Sequence, residues 1–258
     1  MLPRERIASV LARGAGDPAL VAFFTAGHPN KATFLRTLRA ISSAVDAVEI
    51  GVPFSDPMAD GVTIQRASER AIAQGASLRW ILDELARRDF ELSAPILLMT
   101  YLNPLLAFGF DALGHRAAEV GVSGFIVPDL PYEESGPLHE ALRVHGLALV
   151  QLVTPATPAA RLRTLGAASE GFVYAVTRTG ITGKGALPAE LSQYLAAVKG
   201  ATELPVCAGF GVRTAAQVEL IGRHADGVIV GSALVEALER GDDPVAFLGS
   251  LRPRAAGR

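Results

Sequence analysis

Apolar residues along this chain cluster in short runs, and amphipathic stretches separate one run from the next. The runs are continuous and do not alternate strictly with polar residues, which is typical of parallel strands covered on both faces. Eight such runs occur, at residues 19–27, 45–51, 95–101, 122–129, 147–153, 171–177, 205–211 and 226–232.

The stretches between these runs carry apolar residues at helical spacing, and several of them start after Thr, Ser or Pro and end near Gly. Eight strand–helix units predict a (β/α)₈ TIM barrel, formed as a single domain over residues 1–258. Residues 1–16 predict a short amphipathic helix before the first strand. A doubly wound open sheet is the alternative, but no G-x-G-x-x-G motif follows the first run.

Composition narrows the classes of function. The 258 residues suffice for one barrel of ~250 residues. A formal net charge of -2 gives no reason to expect nucleic acid or an anionic membrane as a partner. No apolar run approaches the ~20 residues of a membrane span. The single cysteine, Cys207, predicts a buried thiol and a reducing, cytoplasmic location. The five histidines have no metal-binding spacing, so no metal is expected.

A carboxylate stands inside the second apolar run, in the segment "VEIGVPFSDPMADG" at residues 48–61. Strand alternation gives Glu49 the same face as Val45 and Ala47, and gives Val48 and Ile50 the face toward the helices. Glu49 should then point into the barrel near its carboxyl end, where burial raises the pKa of a carboxyl group. Such a group suits proton transfer near neutral pH. The alternative is that Glu49 pairs with a buried arginine or caps a neighbouring strand.

The loop that follows carries a second candidate acid, Asp60. Pro53 and Pro57 stiffen this loop, so it can hold the carboxylate at the mouth of the barrel in fixed geometry. The alternative role of Asp60 is to cap the helix that starts near Gly61.

The last two strand–helix turns are rich in glycine and predict a phosphate site. They lie at 208–212 and 230–234, and each leads directly into a helix whose first backbone amides can bind an anion. Ser232 can cap its helix and also donate a hydroxyl. Alternatively, Gly209, Gly211 and Gly231 serve only the geometry of tight turns.

The segment 177–188 is long for such a connection and contains three glycines, so it is a candidate lid over the site. An ordinary surface loop is the alternative interpretation.

The string at 48–61 resembles the signature segment of the tryptophan synthase α chain family. The resemblance extends over most of the chain, through "FFTAGHP", "MTYLNP", "GFIVPDLPYEES", "TRTGITG", "AGFGVRT" and "VIVGSALV". It implies a lyase that cleaves indole-3-glycerol phosphate to indole and glyceraldehyde 3-phosphate by a retro-aldol reaction. No metal or organic cofactor is implied.

The resemblance also implies roles for individual residues. Glu49 is expected to act as general acid and base, and Asp60 to accept the indole N–H and to meet Thr182 when the lid closes. Tyr174 is expected near Glu49. The phosphate is expected on backbone amides and one hydroxyl, and the indole in an apolar slot, although each slot residue taken singly could equally be plain barrel core. The phosphate set is Gly183, Gly211, Gly231 and Ser232, and the slot set is Phe23, Tyr101, Leu102 and Phe210.

The family's partner is a pyridoxal-phosphate-dependent β chain, so the resemblance implies an α₂β₂ heterotetramer. The loop with Pro53 and Asp56, and the rim at 101–104, are expected to face that chain. Three alternatives stay open: a stand-alone lyase without a β chain, a non-catalytic ligand-binding activator of the β chain, and a different phosphate-binding barrel. The third would share the glycine turns but lack the loop after the second strand.

Overall fold

Eight parallel strands close into a barrel in chain order, with β8 pairing back onto β1. The computed structural model describes residues 1–13, 17–176, 188–209 and 211–252. The predicted (β/α)₈ barrel is confirmed. Each strand is shorter than the apolar run that predicted it. The strands are β1 (Ala19–Thr25), β2 (Ala47–Gly51), β3 (Ile96–Met99), β4 (Val122–Ile126), β5 (Ala148–Val153), β6 (Val173–Val176), β7 (Val206–Gly209) and β8 (Gly227–Val230).

Helices surround the barrel, and short 3₁₀ segments occur at Lys31–Thr33 and Tyr132–Glu134. The described helices are α1 (Pro3–Leu11), α2 (Phe34–Ser42), α3 (Val62–Ala73), α4 (Leu78–Arg87), α5 (Leu102–Phe108), α6 (Phe110–Glu119), α7 (Gly136–Arg143), α8 (Ala159–Ala168), α9 (Ala189–Lys199), α10 (Ala215–Gly222), α11 (Ser232–Arg240) and α12 (Pro244–Leu251). No helix in these described ranges is long and apolar enough to cross a membrane.

Two helical features differ from the sequence prediction. Residues 102–108 form a helix, α5, in a stretch whose apolar pattern is too short to predict one. The closing amphipathic stretch is two helices, because Gly241 takes a left-handed conformation (φ +79°) that ends α11. Asp243 then caps α12 by accepting hydrogen bonds from the backbone N–H groups of Val245 and Ala246.

Strand alternation divides the core into an outer layer beneath the helices and an inner layer inside the barrel. Val48 and Ile50 pack in the outer layer and Ala47 in the inner one, as predicted. Val45 was expected to face inward but lies in the outer layer. Strand β2 begins only at Ala47, so the alternation does not extend back to Val45.

Helix α1 fills the amino-terminal end of the barrel. Its buried residues Ile7 and Leu11 belong to the inner cluster, together with Phe172 and Cys207. The thiol of Cys207 is fully buried, as predicted. The barrel interior is therefore closed at this end by the helix that the first residues predicted.

Asp46 ties three segments together at the same end. Its carboxylate accepts a hydrogen bond of 2.8 Å from the backbone N–H of Leu20 and contacts the guanidinium groups of Arg13 and Arg252. Arg252 also donates to the carbonyl of Ala44. One carboxylate thus joins the segment after α1, the start of strands β1 and β2, and the end of α12.

We predict that Asp46→Ala lowers the free energy of unfolding by about 2–3 kcal/mol, because it removes several hydrogen bonds to a charged, largely buried group. Urea denaturation followed by circular dichroism measures the change. The matched control is Asp242→Ala, which removes a more exposed pair with Arg240 and should shift stability by less than about 0.5 kcal/mol. Equal losses in the two variants would contradict this account.

Candidate active site

A cleft of about 260 Å³ opens at the carboxyl ends of the strands. This is the end at which barrel enzymes carry their chemistry. Apolar side chains make up much of its wall, and Asp60, Tyr174 and Ser232 add polar groups. The apolar members are Phe23, Ala59, Ile64, Met99, Pro128, Leu152, Val176 and Ile229.

Glu49 lies inside the barrel on β2, in register with Phe23 of β1 and Leu97 of β3. Its side chain has no exposed surface, and neither carboxyl oxygen has a hydrogen-bond partner within the described residues. No cation pairs with it in those residues, so the buried-arginine interpretation finds no support. Burial raises the pKa of Glu49 to about 8. The carboxyl group is therefore largely protonated at neutral pH and can give up a proton.

Asp60 lies at the mouth of the cleft and is held by Tyr101. The Tyr101 hydroxyl donates to Asp60 Oδ2 at 3.1 Å and accepts from the backbone N–H of Ala59 at 3.0 Å. Burial raises the pKa of Asp60, and the hydrogen bond from Tyr101 opposes that rise. Asp60 does not cap α3, whose N-cap is Gly61 without a side-chain hydrogen bond.

Tyr101 was expected to line the indole slot, and it lies next to the cleft instead of in its wall. Its ring stacks on Phe54 with centroids 5.0 Å apart, and its hydroxyl reaches Asp60. Tyr101 also lines a small neighbouring cavity with Phe23 and Asp60. Its most direct contact with the site is thus polar, through the position of Asp60. Leu102 is not part of the cleft wall either, and its backbone N–H donates to Asp129.

Phe23 of β1 and Tyr174 of β6 both line the cleft. Burial raises the pKa of Tyr174, and the charge of Glu49 adds to this rise once that carboxyl group ionises, so the phenol stays neutral. Gly51 makes room for Phe23, because a Cβ at that position would lie 2.5 Å from the Phe23 ring. The glycine at the end of β2 is therefore required by a close approach.

The two glycine turns meet at one side of the cleft. Gly211 has a φ of +66°, a conformation that side chains rarely adopt, and both Gly231 and Ser232 face the cleft with it. Gly231 is the N-cap of α11, so the first free backbone amides of that helix lie at the cleft. Ser232 was expected to cap the helix, but it is already the first helical residue and therefore does not.

Three of the predicted site residues, Thr182, Gly183 and Phe210, lie outside the described residues. The same holds for most of the candidate lid at 177–188. Within the described chain, no group of three or more His, Cys, Asp or Glu residues is arranged to hold a metal ion.

Comparison with known proteins gives one family. The family model described as "Tryptophan synthase alpha chain" matches residues 11–248. The tryptophan synthase alpha chain of Desulfovibrio desulfuricans is 45% identical over 241 residues, which cover 92% of this chain and 94% of the relative. That of Carboxydothermus hydrogenoformans is 44% identical over 239 residues, 91% of this chain and 90% of the relative.

Solved structures agree with these sequence matches. A chain of Mycobacterium tuberculosis tryptophan synthase superposes with a TM-score of 0.87 at 36% identity, covering 95% of this chain and 96% of that one. Tryptophan synthase subunit alpha from Legionella pneumophila gives 0.85 at 34% identity, covering 98% and 97%.

This chain belongs to the tryptophan synthase α chain family. It is accordingly a lyase of tryptophan biosynthesis that cleaves indole-3-glycerol phosphate. The resemblance noted in the segment at 48–61 therefore holds for nearly the whole chain.

Several cleft residues were not singled out from the sequence of this family member. Met99 is the last residue of β3, and Leu152 is the second-last residue of β5. Both line the cleft. Counting alternate residues from Leu97 and Val150, which point inward, finds them. Ile64 on α3 also lines the cleft, and no strand pattern could have indicated it.

We predict that Glu49→Gln changes the pH dependence of stability. The unfolded carboxyl group titrates near its usual value of 4.5 and the folded one near 8, so the native state loses stability as pH rises between these values. Glutamine cannot titrate. The free energy of unfolding of Glu49→Gln, relative to wild type, should rise by a few kcal/mol from pH 5 to pH 8 and then level off.

Urea denaturation at several pH values measures this difference. Glu140→Gln is the control, because Arg143 lowers the pKa of Glu140 and the group therefore stays ionised across the window. A flat difference between Glu49→Gln and wild type would mean that Glu49 is ionised in the folded protein.

Proposed function

We propose that one barrel domain carries the cleavage of indole-3-glycerol phosphate, with Glu49 as general acid and base and Asp60 as the group that holds the indole N–H. The observation that carries the proposal is the buried carboxyl group of Glu49, which has no hydrogen-bond partner in the described part of the chain and lies beside Phe23 and Tyr174 of the cleft wall. A raised pKa of about 8 gives this group a proton to donate at neutral pH.

The chemistry requires a proton at carbon 3 of the indole ring. Once Glu49 protonates that carbon, the bond between it and the side chain can break, and its electron pair returns to the ring. The side-chain hydroxyl on the adjacent carbon loses its proton as the aldehyde forms. Glu49, now ionised, is the base that takes this proton and returns to its starting state. The ring itself accepts the electrons, so no cofactor is required for the step.

Asp60 stabilises the charged intermediate. Protonation at carbon 3 places positive charge on the ring, and a carboxylate that accepts the indole N–H lies on the side where this charge develops. The hydrogen bond from Tyr101 supports that role, because it favours the ionised form of Asp60 and fixes one of its oxygens.

The phosphate end of the substrate binds at the two glycine turns. Gly211, Gly231 and Ser232 lie on one side of the cleft, and the first amides of α11 add the positive end of a helix dipole. Gly183, Thr182 and Phe210 are proposed to complete the phosphate site, the lid contact and the indole slot. The single cysteine supports a cytoplasmic location for the enzyme.

We predict that Glu49→Gln abolishes indole release, with a loss of at least about 100-fold, because the amide keeps the size of the side chain but cannot transfer the proton. A colorimetric indole assay measures turnover. Affinity for glycerol 3-phosphate should stay within about twofold of wild type, since Glu49 lies on β2 and the glycine turns follow β7 and β8. Turnover like that of wild type would remove Glu49 from the mechanism.

We further propose that the chain binds a tryptophan synthase β chain in an α₂β₂ assembly through the loop after β2. The similar M. tuberculosis structures are of tryptophan synthase. In this chain, a groove of about 700 Å³ runs along that loop and α3, and Met58 and Val62 are 82% and 76% exposed there. Phe54, Pro57 and Ile72 line the same groove, so apolar surface is concentrated near Asp60.

We predict that Met58→Lys weakens association with the β chain by at least about tenfold, because it puts a charge into an apolar contact. Titration calorimetry and sizing chromatography with a purified β chain measure this. Val144→Lys is the control, since Val144 is also exposed (64%) but follows α7 at the opposite end of the barrel. Equal binding by both variants would show that this surface is not part of the interface with the β chain. A wild-type chain that forms no complex would indicate a stand-alone lyase.

A further inference from the structure

Glu236, in the middle of α11, contacts two other segments of the chain. Its Oε1 accepts a hydrogen bond of 3.1 Å from the hydroxyl of Thr63, and the two carboxylate oxygens accept bonds of 2.6 and 2.9 Å from the guanidinium of Arg213. We call these three residues the Glu236 junction.

The junction has two arms, the Glu236–Arg213 pair and the Glu236–Thr63 hydrogen bond, and each arm leads to a different part of the cleft. Arg213 follows Gly211 by two residues, and its backbone N–H donates to Gln217 at 2.8 Å, which fixes the turn after β7. Thr63 lies in the first turn of α3, three residues after Asp60. Glu236 itself is about one turn beyond Ser232 on α11. The junction therefore connects both glycine turns to the segment that carries Asp60.

Charge keeps the junction intact at neutral pH. The hydrogen bonds from Arg213 lower the pKa of Glu236 to about 2, and the hydrogen bond from Thr63 acts in the same direction. The carboxylate is therefore ionised throughout the physiological range, and its bond to Arg213 is charge-assisted.

A second carboxylate on α11, Glu239, offers a useful contrast. It pairs with Arg66 and Arg70 of α3 and lies 3.6 Å from His28. It makes no contact with the turn after β7 in these pairs. Of the two, Glu236 is the one that joins three parts of the site.

We propose that Glu236 is a positioning residue that keeps the phosphate-binding turns aligned with Asp60. The inference rests on the proposed function, in which Gly211, Gly231 and Ser232 hold the phosphate while Asp60 holds the indole N–H. A substrate that is bound at both ends reacts efficiently only when the two ends of the site keep their spacing, because small misplacement lowers the rate of an oriented reaction.

The two arms make separate kinetic predictions. Arg213→Gln and Glu236→Gln both remove the charged arm and should raise KM about fivefold with kcat nearly unchanged, since the turn after β7 loosens. Thr63→Val removes the other arm and should lower kcat about threefold to fivefold with KM nearly unchanged, since Asp60 loses its alignment. Glu236→Ala should show both effects.

Indole release by the isolated chain and calorimetric titration with glycerol 3-phosphate measure these effects. Affinity for glycerol 3-phosphate should fall about fivefold in Arg213→Gln and Glu236→Gln, and should not change in Thr63→Val. The double variant Arg213→Gln/Glu236→Gln should be no worse than either single variant, because both changes break one contact. Glu140→Gln is the control, since Glu140 forms a similar two-pronged pair with Arg143 within one helix.

Four results would overturn the proposal. The first two are variants whose kcat and KM match those of the control, and variants with a lower melting temperature but unchanged kcat and KM. The other two are additive losses of affinity in the double variant, and weak glycerol 3-phosphate binding in Arg213→Gln but not in Glu236→Gln. The last result would make Arg213 a direct phosphate contact. The proposed function can fail separately. If the wild-type chain releases no indole, but it and the variants bind glycerol 3-phosphate in the expected pattern, the proposed function is wrong and the role of the Glu236 junction at the phosphate-binding turns is kept.

Discussion

Burial of one carboxyl group that has no hydrogen-bond partner among the described residues is the constraint on which the rest of this molecule depends. Glu49 is fully buried on the inward face of β2, near the apolar residues Ala47 and Leu97, so its charged form is strongly disfavoured. The fold accepts a neutral acid at a position where a valine or leucine would be more stable. In the proposed mechanism, that loss of stability is linked to function, because the same apolar surroundings keep a transferable proton on the group at neutral pH.

The parts of the cleft differ in what holds them. Glu49, Phe23 and Tyr174 are fixed by the hydrogen-bonded strands of the barrel, which give precise positions. Asp60 lies on a loop and depends on side-chain contacts, chiefly the Tyr101 hydroxyl. The two proposed catalytic carboxyl groups thus differ in what supports them: the hydrogen-bonded strands of the barrel hold Glu49, and a side-chain hydrogen bond holds Asp60.

The barrel and the direction of Glu49 could be predicted from the sequence, because continuous apolar runs and strict alternation along β2 are local patterns. The role of Tyr101 could not, since its hydroxyl meets Asp60 from 41 residues away in the chain. The Glu236 junction was missed for the same reason: Thr63 and Glu236 are 173 residues apart. Contacts of this kind depend on how helices and loops pack around the barrel, which periodicity does not encode. Periodicity alone also left helix capping by Asp60 open, and only the structure shows that Gly61 is the N-cap of α3.

Helix α1 affects the route by which small molecules can enter and leave the barrel. With Ile7 and Leu11 packed into one end of the barrel, the interior is a blind pocket in the described part of the chain, and it opens toward the loops that carry Asp60. As far as the described residues show, substrate entry and the departure of both products then use the same opening. A protein that binds over that opening therefore determines whether an apolar product is released into water or passes directly to its next reaction.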